Sequence, residues 1–368
     1  MKIAMIGGRG LPDTYSGVEV FLKELSPRLV SRGHEVTVYC MPDYFTTEDY
    51  KGVKLVRVPS VRTKHLGIMT HSLMSSVSAL RDKVDIFHFN AIGPAALSFI
   101  PRFRHLPSVA TMHSLNWKHS KWNSAEKMAI KAIEYFAVRF PNCVVAVSKQ
   151  HQEYLQINYR TNVYHIPNGV NVAPRVTASR ILDLGLVPDG YILYVGRLSP
   201  EKGPHYLINA FKRLDTTQKL VIAGDSPGQH DYIKSLKGDP LHERVLFLGH
   251  VPSTSTLLSE LYSNASIYVL PSESEGLSIS LLEAMSYGCC VVTSDIQENL
   301  DVISDFGLSF ELGNVGMLSK TLNSLLHDNP LRKAMGQKAR NHVQKLYNWD
   351  DICTTYEKLY KTIAVRII

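Results

Sequence analysis

Short apolar runs alternate with helical stretches along this chain, and they do so twice. KIAMI, EVTVYC, VKLVRV, VDIFHF, PSVATMH and CVVAVS read as strands in the first half, with helical spacing in VEVFLKELSPRLVSRG and SAEKMAIKAIEYFAVRF. YILYVG, KLVIAG, VLFLG, SIYVLP and CVVTS repeat the pattern in the second half. Strands that alternate with helices must lie parallel, because each crossover helix returns the chain to the same edge of the sheet. The expectation is two doubly wound α/β domains in tandem, facing across a cleft. A length of 368 residues, long for one core, agrees with two. The joint falls in IPNGVNVAPRVTASR, where Asn-Gly and Pro interrupt all periodicity. This gives domains 1–172 and 173–348. The last segment, 349–368, has helical spacing in DDICTTYEKLYKTIA and is expected to cross back to the first domain.

Composition narrows the class. Apolar residues make up 45% and charged residues 20%, as in ordinary water-soluble proteins. No apolar run nears the roughly 20 residues that span a bilayer. The start MKIAMIGG turns glycine-rich at once and reads as a first strand, not a signal peptide. The five cysteines form no Cys-x-x-Cys pair, which suggests reduced thiols and a cytoplasmic protein. Charge is uneven: 21 Lys and Arg stand against 12 Asp and Glu up to Val170, and 19 against 21 beyond it. A basic first half suits an anionic partner such as a membrane surface, a lipid diphosphate or nucleic acid. A solvated basic surface explains it equally well.

In open α/β sheets, ligands sit beyond the carboxyl ends of the strands, so the loops there carry the candidate chemistry. The first is GGRGLPDTYSG, residues 7–17, a glycine-rich turn between strand and helix. Such a turn brings backbone N–H groups near an anion. It fails the dinucleotide fingerprint, since Asp13 stands where the third glycine belongs. GRLSPEKG places Arg197 and Lys202 between Gly196 and Gly203, two cations able to clamp a diphosphate, or else a solvated pair balanced by Glu201. In LPSESEGLSISLLEAMSYG, a helix is read over Leu277–Met285. N–H groups around Gly276, Leu277 and Ser278 would favour an anion, and Glu275 and Glu283 lie on roughly one side. One carboxylate could take sugar hydroxyls and the other the two hydroxyls of a ribose. The alternatives are a first-turn acid favoured by the helix dipole for Glu275 and an exposed surface residue for Glu283, though its neighbours Leu282 and Ala284 favour a paired, partly buried carboxylate there. His113, at the end of PSVATMH, is either a structural strand-end histidine or part of a site. His119, Lys118, Lys121 and Trp122 form a basic aromatic loop. The stretch VRTKHLGIMTHSLMSSVSALRDK can lie on an anionic membrane or simply cover the sheet. No Asp-x-Asp occurs, and His and Cys show no ligand spacing, so no metal and no other cofactor is expected.

GRLSPEKG, ESEGLSISLLEAMSYG, AGDSPG and IPNGV together resemble the retaining GT-B glycosyltransferases, over nearly the whole chain. RGLPDTYSGVEVFLKELSPRLVSRGHEVTVYC and TMHSLNWKHSKW resemble a bacterial subgroup that includes β-1,4-rhamnosyltransferases of surface polysaccharide synthesis. The resemblance implies that Arg197 and Lys202 neutralise the departing diphosphate, Glu283 holds the ribose and Glu275 contacts the donor sugar. It also implies that Gly17 admits the diphosphate and that His113 lies beside the transferred sugar. The implied partners are a nucleotide-sugar donor, a saccharide acceptor linked to polyprenyl diphosphate, and the inner-membrane surface, with no nucleic acid. Ser16 and Ser114 stand where the subgroup commonly has glycine, which leaves the sugar open: L-rhamnose from dTDP-rhamnose leads, with UDP- or GDP-hexoses next. A sugar-nucleotide epimerase, a nucleotide-sugar-binding regulator and, more distantly, a dehydrogenase are the rival readings.

Overall fold

The computed structural model describes residues 1–12, 16–61, 67–114, 124–238 and 243–365. The chain divides into two compact units, Met1–Gly169 with Trp349–Ile368, and Val170–Asn348. The first holds an eight-stranded sheet: β1 Lys2–Ile6, β2 Glu35–Cys40, β3 Asp49–Tyr50, β4 Val53–Arg57, β5 Ile86–Asn90, β6 Ser108–Met112, β7 Cys143–Ala146 and β8 Val163–His165. Their spatial order is β3-β4-β2-β1-β5-β6-β7-β8, parallel except for the short β3–β4 pair. The second unit holds six parallel strands: β9 Tyr191–Val195, β10 Lys219–Ala223, β11 Val245–Gly249, β12 Ile267–Leu270, β13 Val291–Ser294 and β14 Leu308–Phe310. Their order is β11-β10-β9-β12-β13-β14. Each sheet grows outward from one early strand, β1 or β9, and then reverses direction. This is the doubly wound Rossmann order, with a topological switch point between β1 and β5 and another between β9 and β12.

Both sheets are covered on both faces, and the pleat shows why the strands read as continuous apolar runs. Ile3 and Met5 enter one core, and Ala4 and Ile6 the core on the opposite face. Tyr191 and Leu193 divide from Ile192 and Tyr194 in the same way. The terminal helix Trp349–Val365 supplies Trp349, Ile352, Tyr356 and Tyr360 to the first unit's core. Arg28 in the helix Gly17–Ser31 holds Asp350 at 3.1 Å. Under that helix, the buried His88 of β5 lies 2.6 Å from the Tyr360 hydroxyl and 2.7 Å from Thr111 Oγ1. Both ring nitrogens are thereby partnered, which makes His88 a structural residue.

The stretch weighed as a membrane-surface segment forms the helix Gly67–Arg81. Its inward face is His71, Ser72, Ser75, Ser76 and Ala79, and the three serines and the alanine are small enough to let the helix lie close. Ser75 and Ser76 return their hydroxyls to carbonyls one turn back, at 2.7 and 2.8 Å. All five cysteines are buried and unbridged. Among the described residues, no helix is long and apolar enough to cross a membrane.

Burial holds several histidines neutral: His71 is pushed down to about 4, and His88 and His113 to about 3. Unfolding frees them to protonate near 6.5, so between that value and the folded ones the unfolded chain binds more protons. Stability should be complete above pH 7 and fall as the pH drops through 6.5 toward 4, each such histidine removing up to about 1.4 kcal/mol per pH unit. Urea midpoints at pH 7.5 and 5.0 measure this. Tyr360→Phe, which removes a partner from His88, should cost a further 1–2 kcal/mol, as a rough scale, at either pH.

Candidate active site

At the switch point of the second unit, the loops after β9 and β12 come into direct backbone contact. Gly203 makes this possible. Its φ is +66°, and a Cβ placed on it would lie 2.1 Å from the Pro271 carbonyl oxygen. Next to it, the Glu273 amide donates to the Glu201 carbonyl at 2.9 Å, and the Tyr206 hydroxyl donates to Glu273 Oε1 at 2.8 Å. The loop after β10 joins the same cluster. Gly224, at φ +153°, passes so close to the Gly196 carbonyl that no side chain would fit.

This scaffold brings Lys202 and Glu275 together. Lys202 Nζ lies 2.7 Å from Glu275 Oε2, and the side chains are only 16% and 8% exposed. Lys202 also points toward the Ser274 carbonyl at 3.4 Å. An ammonium has three N–H donors, so a third remains for a ligand oxygen. Arg197 differs: its side chain is 53% exposed, and its ion pair with Glu201 is long, at 3.7 Å. The two cations anticipated as a clamp therefore sit in unlike settings, one locked and one movable.

The helix after Glu275 starts later than the sequence suggests. It spans Ile279–Ser286, and Leu277 and Ser278 lie outside it. Ser278 is the N-cap: its backbone stays extended and its Oγ accepts from the Leu281 amide at 3.3 Å. Glu275 is consequently a loop residue, and the reading of it as a first-turn acid is corrected. Gly276, Leu277 and Ser278 all fall in the loop leading into the helix. Glu283 lies within the helix and is half-buried, with Oε2 accepting from the Tyr262 hydroxyl at 3.0 Å. Tyr262 is buried and stacks on Tyr287 with ring centroids 5.6 Å apart, which fixes the orientation of that carboxylate.

In the first unit, the glycine loop packs against protein. A Cβ on Gly7 would meet the Asn90 carbonyl at 2.3 Å, one on Gly10 the Tyr44 carbonyl at 2.7 Å, and one on Gly8 the Leu22 side chain at 2.4 Å. Ser16 caps the helix that begins at Gly17, accepting from the Val18 amide at 3.3 Å. Its hydroxyl donates to the buried Glu19, whose other oxygen takes the Arg9 amide at 3.0 Å. Glu19 thus ties the loop to the helix start. The Ser-x-x-Glu spacing at Ser16 and Glu19 was the signal that could have identified it.

His113 stands at the end of β6. Its Nε2 lies 3.4 Å from Asn90 Oδ1, and Phe21 meets its ring edge-on at 5.0 Å. Asn90 uses its amide to donate to the Ile6 carbonyl, so Oδ1 is the acceptor, and the proton of His113 is assigned to Nε2. Nδ1 is then a bare lone pair, buried and without a partner among the described residues. Asn90 orients His113 and was not among the residues chosen from sequence. Gly17 and His113 fall in one unit, and Arg197, Lys202, Glu275, Gly276, Leu277, Ser278 and Glu283 in the other. Lys118, His119, Lys121 and Trp122 lie outside the described residues. Among those described, no group of three or more His, Cys, Asp or Glu could hold a metal ion.

Both the sequence and the fold have counterparts among known proteins. Residues 186–342 match the family described as glycosyl transferases group 1, and residues 15–173 match glycosyltransferase family 4. An uncharacterized glycosyltransferase of Methanocaldococcus jannaschii is 30% identical, the match covering 100% of each chain. Sucrose-phosphate synthase from Thermosynechococcus elongatus superimposes with a TM-score of 0.87 at 20% identity, over 99% of each chain. Anabaena HepE in complex with UDP-glucose gives 0.82 at 19% identity, over 98% of this chain and 100% of that one. The chain belongs to the GT-B-fold glycosyltransferases.

The unlike settings of the two cations make a testable difference. Lys202→Ala strands a buried carboxylate and should cost about 3 kcal/mol. Arg197→Ala should change stability by under about 1 kcal/mol, as for exposed ion pairs generally. Chemical denaturation of both variants measures the contrast, and equal losses would refute the assigned burial.

Proposed function

We propose that the protein is a retaining glycosyltransferase that moves a sugar from a nucleoside diphosphate to a saccharide acceptor carried on a lipid. L-Rhamnose from dTDP-rhamnose is the leading donor, and bacterial surface polysaccharide synthesis is the setting, at the inner face of the cell membrane. The observation that carries the reading is the pairing of a locked Lys202–Glu275 contact with a movable Arg197 at the second unit's switch point. The resemblance to the rhamnosyltransferase subgroup supports the sugar.

In this reading, Arg197 swings from Glu201 to the diphosphate and Lys202 offers its remaining N–H. Both stabilise charge that grows as the phosphate leaves, which lowers the barrier rather than merely binding substrate. Glu275, held by Lys202, accepts hydroxyls of the donor sugar, and the Gly276–Ser278 loop gives amides to the phosphate. Glu283 takes the ribose hydroxyls. His113, neutral at physiological pH, accepts a hydrogen bond from a sugar hydroxyl at Nδ1, and because its ring is held down to about 3 it does not act as the base. Retention follows from attack on the face that the phosphate leaves. The bond from anomeric carbon to phosphate oxygen breaks, the bond to the acceptor oxygen forms, and the acceptor proton passes to the departing phosphate. No metal is needed where two cations already face the diphosphate.

A UDP-hexose donor is the second reading, favoured by the fold shared with the UDP-glucose complex of Anabaena HepE. Calorimetric titration with dTDP, UDP and GDP separates the two. dTDP should bind tightest, and Arg197→Ala should weaken it at least about tenfold, or roughly 1.4 kcal/mol. A preference for UDP would move the assignment to the hexose donor. Absence of binding to all three would remove the donor site from the second unit, and donor conversion without acceptor would indicate an epimerase.

A further inference from the structure

The helix Ser124–Arg139 carries apolar residues at the centre of its solvent face, where a surface helix normally carries charge. Met128, Ala132, Tyr135 and Phe136 follow helical spacing on one side, and all are exposed, Met128 at 72%. The buried polar group is on the other side: Glu134 accepts from the Tyr154 and Tyr159 hydroxyls at 2.9 and 2.5 Å.

The exposed rings continue into a neighbouring segment. Tyr135 meets Phe136 at 5.6 Å, Phe136 stacks on Phe140 at 5.4 Å, and Phe140 meets Phe99 at 5.8 Å. Phe99 meets Phe103 at 6.1 Å, and Phe103 is 79% exposed. This contiguous aromatic ridge joins two separate stretches of chain. Large apolar patches of this kind on a folded surface mark an interaction site.

Charge identifies the partner. Arg102, Arg104 and Arg139 are all exposed beside the ridge, and the Arg102 guanidinium is fixed there by donating to the Phe140 carbonyl at 3.1 Å. From Ile86 to Ala125 the chain contains no Asp or Glu. The acids that flank this stretch are Asp85 before it and Glu126, in the first turn of the helix, with the buried Glu134 further on. Aromatic rings with arginines and few acids suit a surface that is apolar beneath and negative above, because rings settle at the headgroup level while guanidinium groups meet phosphates.

We propose that the ridge from Phe103 to Tyr135 is the surface on which this protein docks to an anionic lipid bilayer. The proposal names the site of the membrane contact that a lipid-linked acceptor requires, and it rests on that reading for its purpose alone. Its test uses neither donor nor acceptor, so the two can fail separately.

The full chain is sedimented with phosphatidylcholine vesicles, with and without phosphatidylglycerol. Binding should require phosphatidylglycerol and weaken with added salt. Phe103→Ser with Phe136→Ser should weaken it about tenfold or more, and Arg102→Gln with Arg104→Gln should do likewise at low salt. Because the native cysteines are buried, a Phe103→Cys variant can be labelled with a polarity-sensitive dye, whose emission should shift to the blue on adding vesicles. An unchanged urea midpoint in the serine variant would show that it is folded. Three outcomes would overturn the proposal: no binding by the native chain, equal binding by the folded serine variant, or a dimer in sedimentation equilibrium that the serine substitutions abolish.

Discussion

At each switch point, two strand-end loops approach so closely that one must lack a side chain, and the candidate chemistry is arranged around that contact. Gly7 meets the carbonyl of Asn90 in the first unit, and Gly203 meets the carbonyl of Pro271 in the second. A Cβ at either place would force the loops apart at a positive φ that L-residues resist. In the second unit, separation would also lengthen the Lys202–Glu275 ion pair, which is worth something only at close range and in good geometry. In the first, it would shift Asn90 away from His113. Glycine here serves the contact between loops before it serves any ligand, which answers what the glycine-rich turn approaches: Gly7, Gly8 and Gly10 approach protein atoms.

The two units handle polar groups differently. In the first, burial keeps His71, His88 and His113 uncharged, so in the folded protein they interact through hydrogen bonds rather than through charge. In the second, the candidate side chains are charged and paired, Lys202 with Glu275 and Arg197 with Glu201. A sugar is neutral and presents hydroxyls, whereas a diphosphate is anionic. In the proposed transfer, the sugar's hydroxyls call for hydrogen bonds of the kind Glu275 and His113 can make, and the leaving group calls for the charge of Lys202 and Arg197.

The Rossmann architecture was legible because its central strands are buried on both faces and therefore read as unbroken apolar runs. The strands not read from sequence, β3, β8 and β14, are all at sheet edges. Edge strands have one neighbour and partial exposure, so VYH and LSF are too short and too mixed to announce themselves. The start of the helix at Ile279 was misplaced because Leu277 continues the apolar periodicity, while the capping serine that decides the boundary acts through a hydrogen bond. Arg197, Lys202, Glu275 and Glu283 could be chosen from spacing and strand ends. That Lys202 and Glu275 pair, across loops far apart in sequence, could not, because it depends on strand order.

The aromatic ridge shows the same limit. SAEKMAIKAIEYFAVRF has helical spacing in the sequence, which by itself assigns its apolar residues to neither side of the helix. Periodicity counts apolar residues but does not say which side of a helix meets the sheet. Ala137 and Val138 are buried while Tyr135 and Phe136 are exposed, so two adjacent pairs of similar hydropathy have opposite environments. The structure resolves them through Glu134, whose bonds to Tyr154 and Tyr159 fix the helix's rotation and turn the rings outward. A buried carboxylate held by two tyrosines thus decides what the helix presents to its surroundings, and no hydropathy pattern contains that information.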